Sequence, residues 1–212
     1  MNSMSDFRIP GITIYRLGMY ARSLERFLQE GRDLISSEEL ARACGVNPAQ
    51  LRKDLSYFGQ FGVRGVGYSA QTLLKSIRRI LGTDREWPMV LAGVGHLGHA
   101  LLSYEILTRR GFKFVAAFDV DPAKIGKVVN DIYVYAMEQL PYIVREHRVE
   151  IGVIATPCDA AQEVADSFIR EGIKGIVNFA PTSIKHPPNV VVEQSDMTIL
   201  FDKIAYYLLR LD

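Results

Sequence analysis

The chain has 212 residues, enough for one or two domains, and its 48% hydrophobic and 23% charged content is ordinary for a globular protein. No apolar run approaches the roughly 18 residues that a membrane span requires, so we expect a cytoplasmic protein without a signal peptide. Cys44 and Cys158 lie far apart without metal-ligand spacing. We therefore expect two reduced thiols and no metal site.

The net charge of +1 is unevenly distributed along the chain. Residues 1–85 carry 13 Lys and Arg against 8 Asp and Glu, a net +5, whereas residues 86–212 carry 12 against 16, a net −4. A basic first half is typical of a nucleic-acid-binding surface. A chance excess on a solvated surface would produce the same balance.

The first half has the pattern of a helix-turn-helix. A long amphipathic helix is predicted over residues 9–30. Ser36 and Glu39 offer a capping box for a short second helix. Asn47 followed by Pro48 predicts the start of a third helix, because Asn caps and Pro is tolerated at the first helical position.

The third predicted helix has two different sides. The side predicted to dock on the other helices comprises Leu51, Asp54, Leu55 and Phe58. The opposite arc, for which we predict DNA contacts, comprises Gln50, Arg52, Lys53, Ser56 and Tyr57. Arg and Lys bind guanine or phosphate, and Gln binds adenine. An ordinary solvated helix face is the alternative interpretation.

A glycine-rich segment follows the third helix. Glycines at 59, 62, 65 and 67 around Val63 predict a β-hairpin wing. Arg64 in this wing is predicted to enter the DNA minor groove, where negative potential is enhanced. A hairpin with one exposed arginine is the alternative. A further helix is predicted over 69–81 and a linker over 82–88.

From residue 89 apolar strands alternate with helical patterns, which indicates a doubly wound α/β domain with a parallel sheet. The predicted strands are 89–92, 114–118, 132–134, 151–155, 175–179 and 190–192. The predicted helices are 97–110, 137–147, 159–171 and 196–210.

The first of these strands runs into a G-x-G-x-x-G motif, which indicates a dinucleotide site. The predicted contacts in this loop are Gly93, Val94, Gly95, His96, Leu97 and Gly98. Asp119 ends the next strand, 21 residues after Gly98, where a carboxylate would hold ribose hydroxyls and repel a 2′-phosphate. NAD is therefore expected rather than NADP, with Asp121 as a second candidate. A CoA-binding domain or an empty site remain alternatives.

Two later segments follow predicted strands, at the edge of the sheet where ligands bind in this fold. They contain Thr156 with Pro157, and Asn178 with Phe179. Thr and Asn can hydrogen-bond ribose or a carboxamide, and Phe can pack on a ring. Two ordinary turns are the alternative.

We predict no catalytic residue. No catalytic carboxylate pattern flanks any of the four histidines. About 20 residues follow the predicted domain, too few for a substrate domain. Two other functions stay open: a small NAD-dependent oxidoreductase or CoA-binding enzyme subunit with a basic appendage, and a DNA-binding protein with a vestigial nucleotide fold.

Residues 51–59 with 64–68, together with 93–98, 118–122 and 178–181, resemble the Rex family of redox-sensing bacterial repressors over nearly the whole chain. The resemblance implies a homodimer that binds double-stranded operator DNA and NAD(H), with NADH disfavouring the DNA complex. It implies a winged-helix domain over 1–84, a Rossmann domain over 85–194, and a C-terminal helix over 195–212 that is swapped onto the partner.

The resemblance also assigns a switch network between subunits. Arg22, Tyr104 and Asp196 match its positions. Met197 departs from the family pattern, since some relatives have Phe near the nicotinamide.

Overall fold

A computed structural model describes residues 9–63 and 65–211, and these form two compact units that divide in the sequence between Arg85 and Glu86. The predicted boundary lay one residue earlier. Each unit has its own buried apolar core. No helix in the described part of the chain has the length and apolarity of a membrane span.

The first unit is a winged helix-turn-helix. Its helices are α1 Gly11–Gln29, α2 Ser37–Ala43, α3 Pro48–Ser56 and α4 Ala70–Ile80, and its strands are β1 Leu34–Ile35 and β2 Tyr68–Ser69. The predicted capping box is confirmed: Ser36 Oγ accepts the Glu39 N–H, and the Glu39 carboxylate accepts the Ser36 N–H. Asn47 Oδ1 accepts the Gln50 N–H at 2.7 Å and caps α3, as predicted.

The wing departs from the prediction of an independent hairpin. Only one antiparallel bridge, Val63 with Gly67, closes the loop among the described residues. The returning strand β2 pairs instead with β1, which sequence analysis missed. Gly67 explains this pairing, because a Cβ there would lie 2.6 Å from the Ile35 carbonyl oxygen. The close approach of two backbones thus ties the wing to the strand before α2.

The core of this unit is built from the predicted apolar periodicity. On α1, Leu17, Tyr20 and Leu24 are fully buried, and Leu51 of α3 and Ile77 of α4 join them in one cluster. Residues three or four apart on one helix share a face, so α1 presents a continuous stripe to the other helices.

The second unit is a doubly wound sheet with helices. The strands are β3 Trp87–Ala92, β4 Phe112–Phe118, β5 Val128–Val129, β6 Ile132–Tyr135, β7 Ile151–Ile154, β8 Gly175–Asn178 and β9 Val191–Gln194. The helices are α5 His96–Leu102, α6 Glu105–Arg109, α7 Leu140–His147, α8 Cys158–Arg170 and α9 Thr198–Leu208. The strand order is β5-β6-β4-β3-β7-β8-β9.

This strand order positions the ligand site. All neighbouring strands are parallel except β5, which pairs antiparallel with β6. The chain crosses from β3 to β4 and β6 on one side of β3, and then returns from β6 to β7 on the other side. The carboxyl ends of β3 and β7 therefore form the crevice in which this fold binds ligands.

Three details of the second unit differ from the prediction. Trp87 and Pro88 belong to β3, not to a linker, and Pro is tolerated there because it lies near the strand start, before a register shift at Met89. The helix predicted over 97–110 is broken between α5 and α6. The small strand β5 was missed, although Asn130 and Asp131 form the positive-φ turn that joins it to β6.

Candidate functional site

The recognition helix α3 is two-sided in the structure. Leu51, Asp54 and Leu55 are buried, and Phe58 packs on the same core. The predicted DNA-facing side chains point outward: Arg52, Lys53, Ser56 and Tyr57 are exposed, and Gln50 is partly exposed. Arg64 lies outside the described residues.

The outward side chains of α3 differ in how strongly they are held. The Arg52 Nη1 donates to Ser37 Oγ at 3.0 Å and lies 3.6 Å from a Glu38 carboxylate oxygen. Ser56 Oγ donates to the Lys53 carbonyl at 2.7 Å. Exposed ion pairs contribute about 0–1 kcal/mol, so Arg52 can exchange Glu38 for a phosphate at little cost.

A groove of about 790 Å³ separates α3 from the wing. Its walls are lined by Arg52, Leu55 and Ser56 of α3, by residues 36–38, and by residues 59–63 and 65–68 of the glycine-rich segment. This concave surface presents polar and apolar groups in similar measure, and it can receive a DNA backbone or a base edge.

Asp54, predicted only to lie on the docking side of α3, accepts five hydrogen bonds from side chains of this unit. Its carboxylate is fully buried. It accepts hydrogen bonds from Arg16 at 2.5 and 2.7 Å, from Tyr20 Oη at 2.7 Å and from Thr13 Oγ1 at 3.2 Å, all on α1. Gln50 Nε2, one turn earlier on α3, donates to it at 2.8 Å.

The charge of Asp54 is maintained by these donors. Burial alone raises the pKa of a carboxyl group, but the hydrogen bonds from Arg16, Tyr20 and Gln50 outweigh it and lower the pKa of Asp54 to about 2. The sequence did contain a signal: Asp54 interrupts an apolar stripe, and Thr13, Arg16 and Tyr20 recur at helical spacing on α1. A buried charge requires partners, and those were available.

The three glycines of the loop after β3 differ in how much space surrounds them. Gly93 has φ of 95°, and a Cβ there would lie 2.5 Å from the Ala155 carbonyl oxygen. A Cβ on Gly98 would collide with the Gly93 carbonyl oxygen. At Gly95, by contrast, a Cβ would meet nothing within 4 Å. Open space at the middle glycine suits the approach of a pyrophosphate to the backbone.

Thr156 adds a polar group to this crevice. It follows β7 and lies beside the loop, since its backbone nitrogen is 2.9 Å from a Cβ placed on Gly93. Its Oγ1 is buried and has no hydrogen-bond partner within the described part of the chain. Buried hydroxyl groups are normally paired, so this atom fits a site that holds a polar ligand. Pro157, the next residue, is exposed and precedes α8.

Asp119 is linked to the loop. Its Oδ2 accepts from the Val94 N–H at 2.8 Å and from Lys124 Nζ at 3.0 Å, and its Oδ1 accepts from the Asp121 N–H at 2.9 Å. Burial raises the pKa of Asp119, but the two N–H groups and the Lys124 ammonium outweigh it, and the pKa lies below its ordinary value. The carboxylate thus stabilises the loop from within, and sequence analysis missed Lys124.

Asn178 ends β8 and Phe179 follows it, and the polar groups of Asn178 are bonded within the protein. Asn178 is fully buried. Its amide nitrogen donates to the carbonyl oxygens of Ala180 and Thr182 and to Gln194 Oε1, and its Oδ1 accepts the Ala180 N–H. These bonds use its polar groups to shape the loop after β8. Phe179 is partly buried against the core.

The remaining predicted residues lie on the rim or on other elements. His96 begins α5 and is exposed, Leu97 is partly buried, and Asp121 caps the N–H of Ala123 at 2.9 Å. Of the predicted switch residues, Arg22 is exposed on α1, and Tyr104 precedes α6. Asp196 Oδ1 accepts two bonds from Thr198 at the start of α9, and no hydrogen bond joins it to Tyr104 within the described residues.

Within residues 9–63 and 65–211, no group of three or more His, Cys, Asp and Glu side chains could hold a metal ion. Both cysteines are free thiols, Cys44 buried and Cys158 exposed. Burial raises the pKa of Cys44.

Two family models match the chain, one in each unit. Residues 8–56 match the model described as "Putative DNA-binding protein N-terminus", and residues 84–182 match the model of a CoA binding domain. The division of the matches agrees with the division of the structure between Arg85 and Glu86.

Full-length relatives are similar in sequence and in fold. A protein of Syntrophobacter fumaroxidans named redox-sensing transcriptional repressor Rex is 48% identical over 97% of this chain and 98% of the relative. The structure of RSP, a Rex-family repressor, with β-NAD⁺ and operator DNA has a TM-score of 0.90 at 34% identity, covering 94% of this chain and 92% of that one. RSP with β-NADH has a TM-score of 0.86 at 31% identity, covering 98% and 95%.

The buried carboxylate generates a prediction about stability. Replacing Asp54 by Asn should lower the free energy of unfolding by about 3–5 kcal/mol near neutral pH, because the partly buried Arg16 loses its counter-charge and the other donors lose an ionised acceptor. Since the folded pKa of about 2 lies below the ordinary value of 3.8, the ionised carboxylate contributes stability above pH 3.8 and loses it as the pH falls toward 2. Denaturant unfolding of the parent and of Asp54→Asn at several pH values should show that the difference between their free energies of unfolding decreases as the pH falls. The exposed Asp84→Asn variant is the control. If the difference in free energy of unfolding between the parent and Asp54→Asn did not depend on pH, Asp54 would not stabilise the fold through its charge.

The glycine loop generates a paired prediction. Gly98→Ala should destabilise the protein by roughly 1–3 kcal/mol, because the new methyl group meets the Gly93 backbone. Gly95→Ala should leave the free energy of unfolding within about 0.5 kcal/mol of the parent but weaken dinucleotide binding, because its methyl group enters open space in the crevice. Thermal unfolding and fluorescence titration measure the two effects. If Gly95→Ala bound the dinucleotide with the affinity of the parent, the ligand would not lie against Gly95.

Proposed function

The chain belongs to the Rex family of redox-sensing transcriptional repressors, and we propose that its winged unit binds operator DNA under the control of NADH and NAD⁺ held by its Rossmann unit. The protein is a repressor, not an enzyme. The observation that carries the proposal is the crevice between β3 and β7, in a chain that also has a winged helix. The glycine loop leaves open space at Gly95, and Thr156, whose hydroxyl has no partner among the described residues, lies beside Gly93.

In the Rossmann unit we assign the dinucleotide to the predicted loop. Gly93 to Gly98 face the pyrophosphate, and Thr156 Oγ1 supplies a hydrogen bond. Asp119 keeps Val94 in place and lies at the strand end where a ribose is held, with Asp121 beside it. Asn178 positions Phe179 and the loop after β8 rather than bonding the ligand itself, because its amide is already engaged. NADH and NAD⁺ differ in the charge of the nicotinamide ring, so residues around that ring can distinguish them.

The C-terminal helix supports a homodimer. Every side chain of α9 is exposed, including Ile199, Leu200, Phe201 and Tyr207, each more than half accessible. An apolar patch of this kind marks a surface that another protein covers. We propose that residues 195–212 pack on a second copy, with 1–84 as the DNA-binding part and 85–194 as the sensor.

Coupling between the two activities is assigned to α1. One rigid helix carries Arg22, predicted for the switch network with Tyr104 and Asp196, and also the partners of Asp54 on the recognition helix. Movement of α1 therefore moves α3 with it. Two dimer shapes with different spacing of the recognition helices would bind the operator unequally.

The DNA contacts are assigned to Arg52, Lys53, Ser56 and Tyr57 of α3, to Gln50 at its start, and to Arg64 of the wing. The exposure of the α3 side chains beside the groove supports this assignment. Binding to operator DNA also supports a cytoplasmic location.

NADH should release the protein from operator DNA, whereas NAD⁺ should not. A typical coupling free energy of about 1–3 kcal/mol corresponds to a roughly 5- to 150-fold change in operator affinity. Gel-shift titration of the protein–operator complex with each nucleotide measures this difference. Identical effects of the two nucleotides would exclude redox sensing.

Arg52→Ala and Lys53→Ala should each weaken operator binding and reduce its salt dependence, because each removes a cation next to the phosphates. NADH affinity should stay at the parent value, since both residues lie in the first unit. Lys75→Ala, an exposed lysine on α4, is the matched control. Loss of NADH binding in the α3 variants would contradict the division of labour between the units.

A further inference from the structure

Gln50 is held at both of its ends before any DNA is present. Its backbone N–H donates to Asn47 Oδ1 at 2.7 Å, and its side-chain Nε2 donates to Asp54 Oδ1 at 2.8 Å. A surface glutamine normally has three free torsion angles. Here the bond to Asp54 holds the end of the Gln50 side chain in one place.

Asp54 determines which way the Gln50 amide points. An ionised carboxylate only accepts hydrogen bonds, so the amide nitrogen of Gln50, not its oxygen, must face it. Asp54 itself cannot turn away, because it is fully buried and is bonded by Arg16, Tyr20 and Thr13. Among the described residues, the Gln50 Oε1 and the second N–H of Nε2 have no hydrogen-bond partner.

We propose that Asp54 is a positioning residue that presents Gln50 to an adenine in the major groove; the inference rests on the proposed operator binding. In this arrangement Asp54 accepts the N–H that lies trans to Oε1, which leaves an acceptor and a donor side by side on the other edge of the amide. Adenine offers the complementary pair, the N6 amino group and N7. Gln50 lies in the first turn of α3, and the N-terminal residues of a recognition helix are those that contact base edges.

This geometry separates specificity from affinity on one helix. Lys53 contributes a charge, which attracts phosphates of any sequence. Gln50 contributes a directed amide, which discriminates bases and loses little side-chain freedom on binding because it is already ordered. The base preference of the protein then depends on a carboxylate that never reaches the DNA.

The test is a base-preference profile. The parent protein selects a site from a randomised duplex library, and a panel of single-base-pair variants of that site is then titrated with the parent, Gln50→Ala, Asp54→Asn and Lys53→Ala. A bidentate contact should give the parent a roughly 5- to 150-fold preference for A·T at one position in each half-site. Gln50→Ala should abolish that preference, and Asp54→Asn should reduce it at the same position. Lys53→Ala should weaken all sites equally.

A uniform loss of affinity in Asp54→Asn, with the profile unchanged, would overturn the proposal, as would an unchanged profile in Gln50→Ala. If Asp54→Asn does not fold, NMR relaxation of the Gln50 side-chain ¹⁵Nε2 in the free parent protein decides. An order parameter near 0.85 supports positioning, and one below about 0.6 refutes it. Failure of the parent protein to enrich any sequence would instead refute operator binding itself.

Discussion

The winged unit depends on a buried carboxylate. Asp54 has no contact with water, yet it stays ionised because three side chains of α1 and one of α3 donate to it. A buried ion pair is expensive to desolvate and seldom stabilises more than an apolar pair of the same shape. Its advantage here is geometric: directed bonds fix the rotation of the recognition helix against α1, which apolar packing alone leaves looser.

The second unit depends on a different constraint, the close approach of backbones around two glycines. Gly98 lies against Gly93, and Gly93 lies against the end of β7, so the loop cannot shift without opening the sheet edge. Asp119 holds the same loop from the β4 side through the Val94 N–H. The one glycine without such a neighbour, Gly95, marks the space left for a ligand. A rigid frame around one open position is the arrangement that preorganised binding requires.

Much of this was predictable from local signals. The capping residues Ser36, Glu39 and Asn47 act in the structure as their positions in the sequence indicate, because a cap involves only residues three apart. The G-x-G-x-x-G loop is predictable for the same reason. Two of the errors concern pairing at a distance: β2 joins β1 instead of closing a hairpin, and Trp87 and Pro88 join the central strand. A local sequence pattern can predict a strand, but it does not predict which distant strand pairs with it in the sheet.

The sequence by itself determined the two kinds of unit and their order, because helical periodicity, caps and glycine spacing are local properties. The family followed from the resemblance of its motifs to those of known relatives. The tertiary structure decided what individual polar residues do. In the folded protein Asp54 is the centre of a hydrogen-bond network, Asp119 supports the glycine loop, and Asn178 hydrogen-bonds the loop after β8. Several of these hydrogen bonds join residues that are 16 to 41 positions apart in the sequence, so they depend on how the chain packs. Only the folded chain brings those donors and acceptors within 3 Å or so of each other.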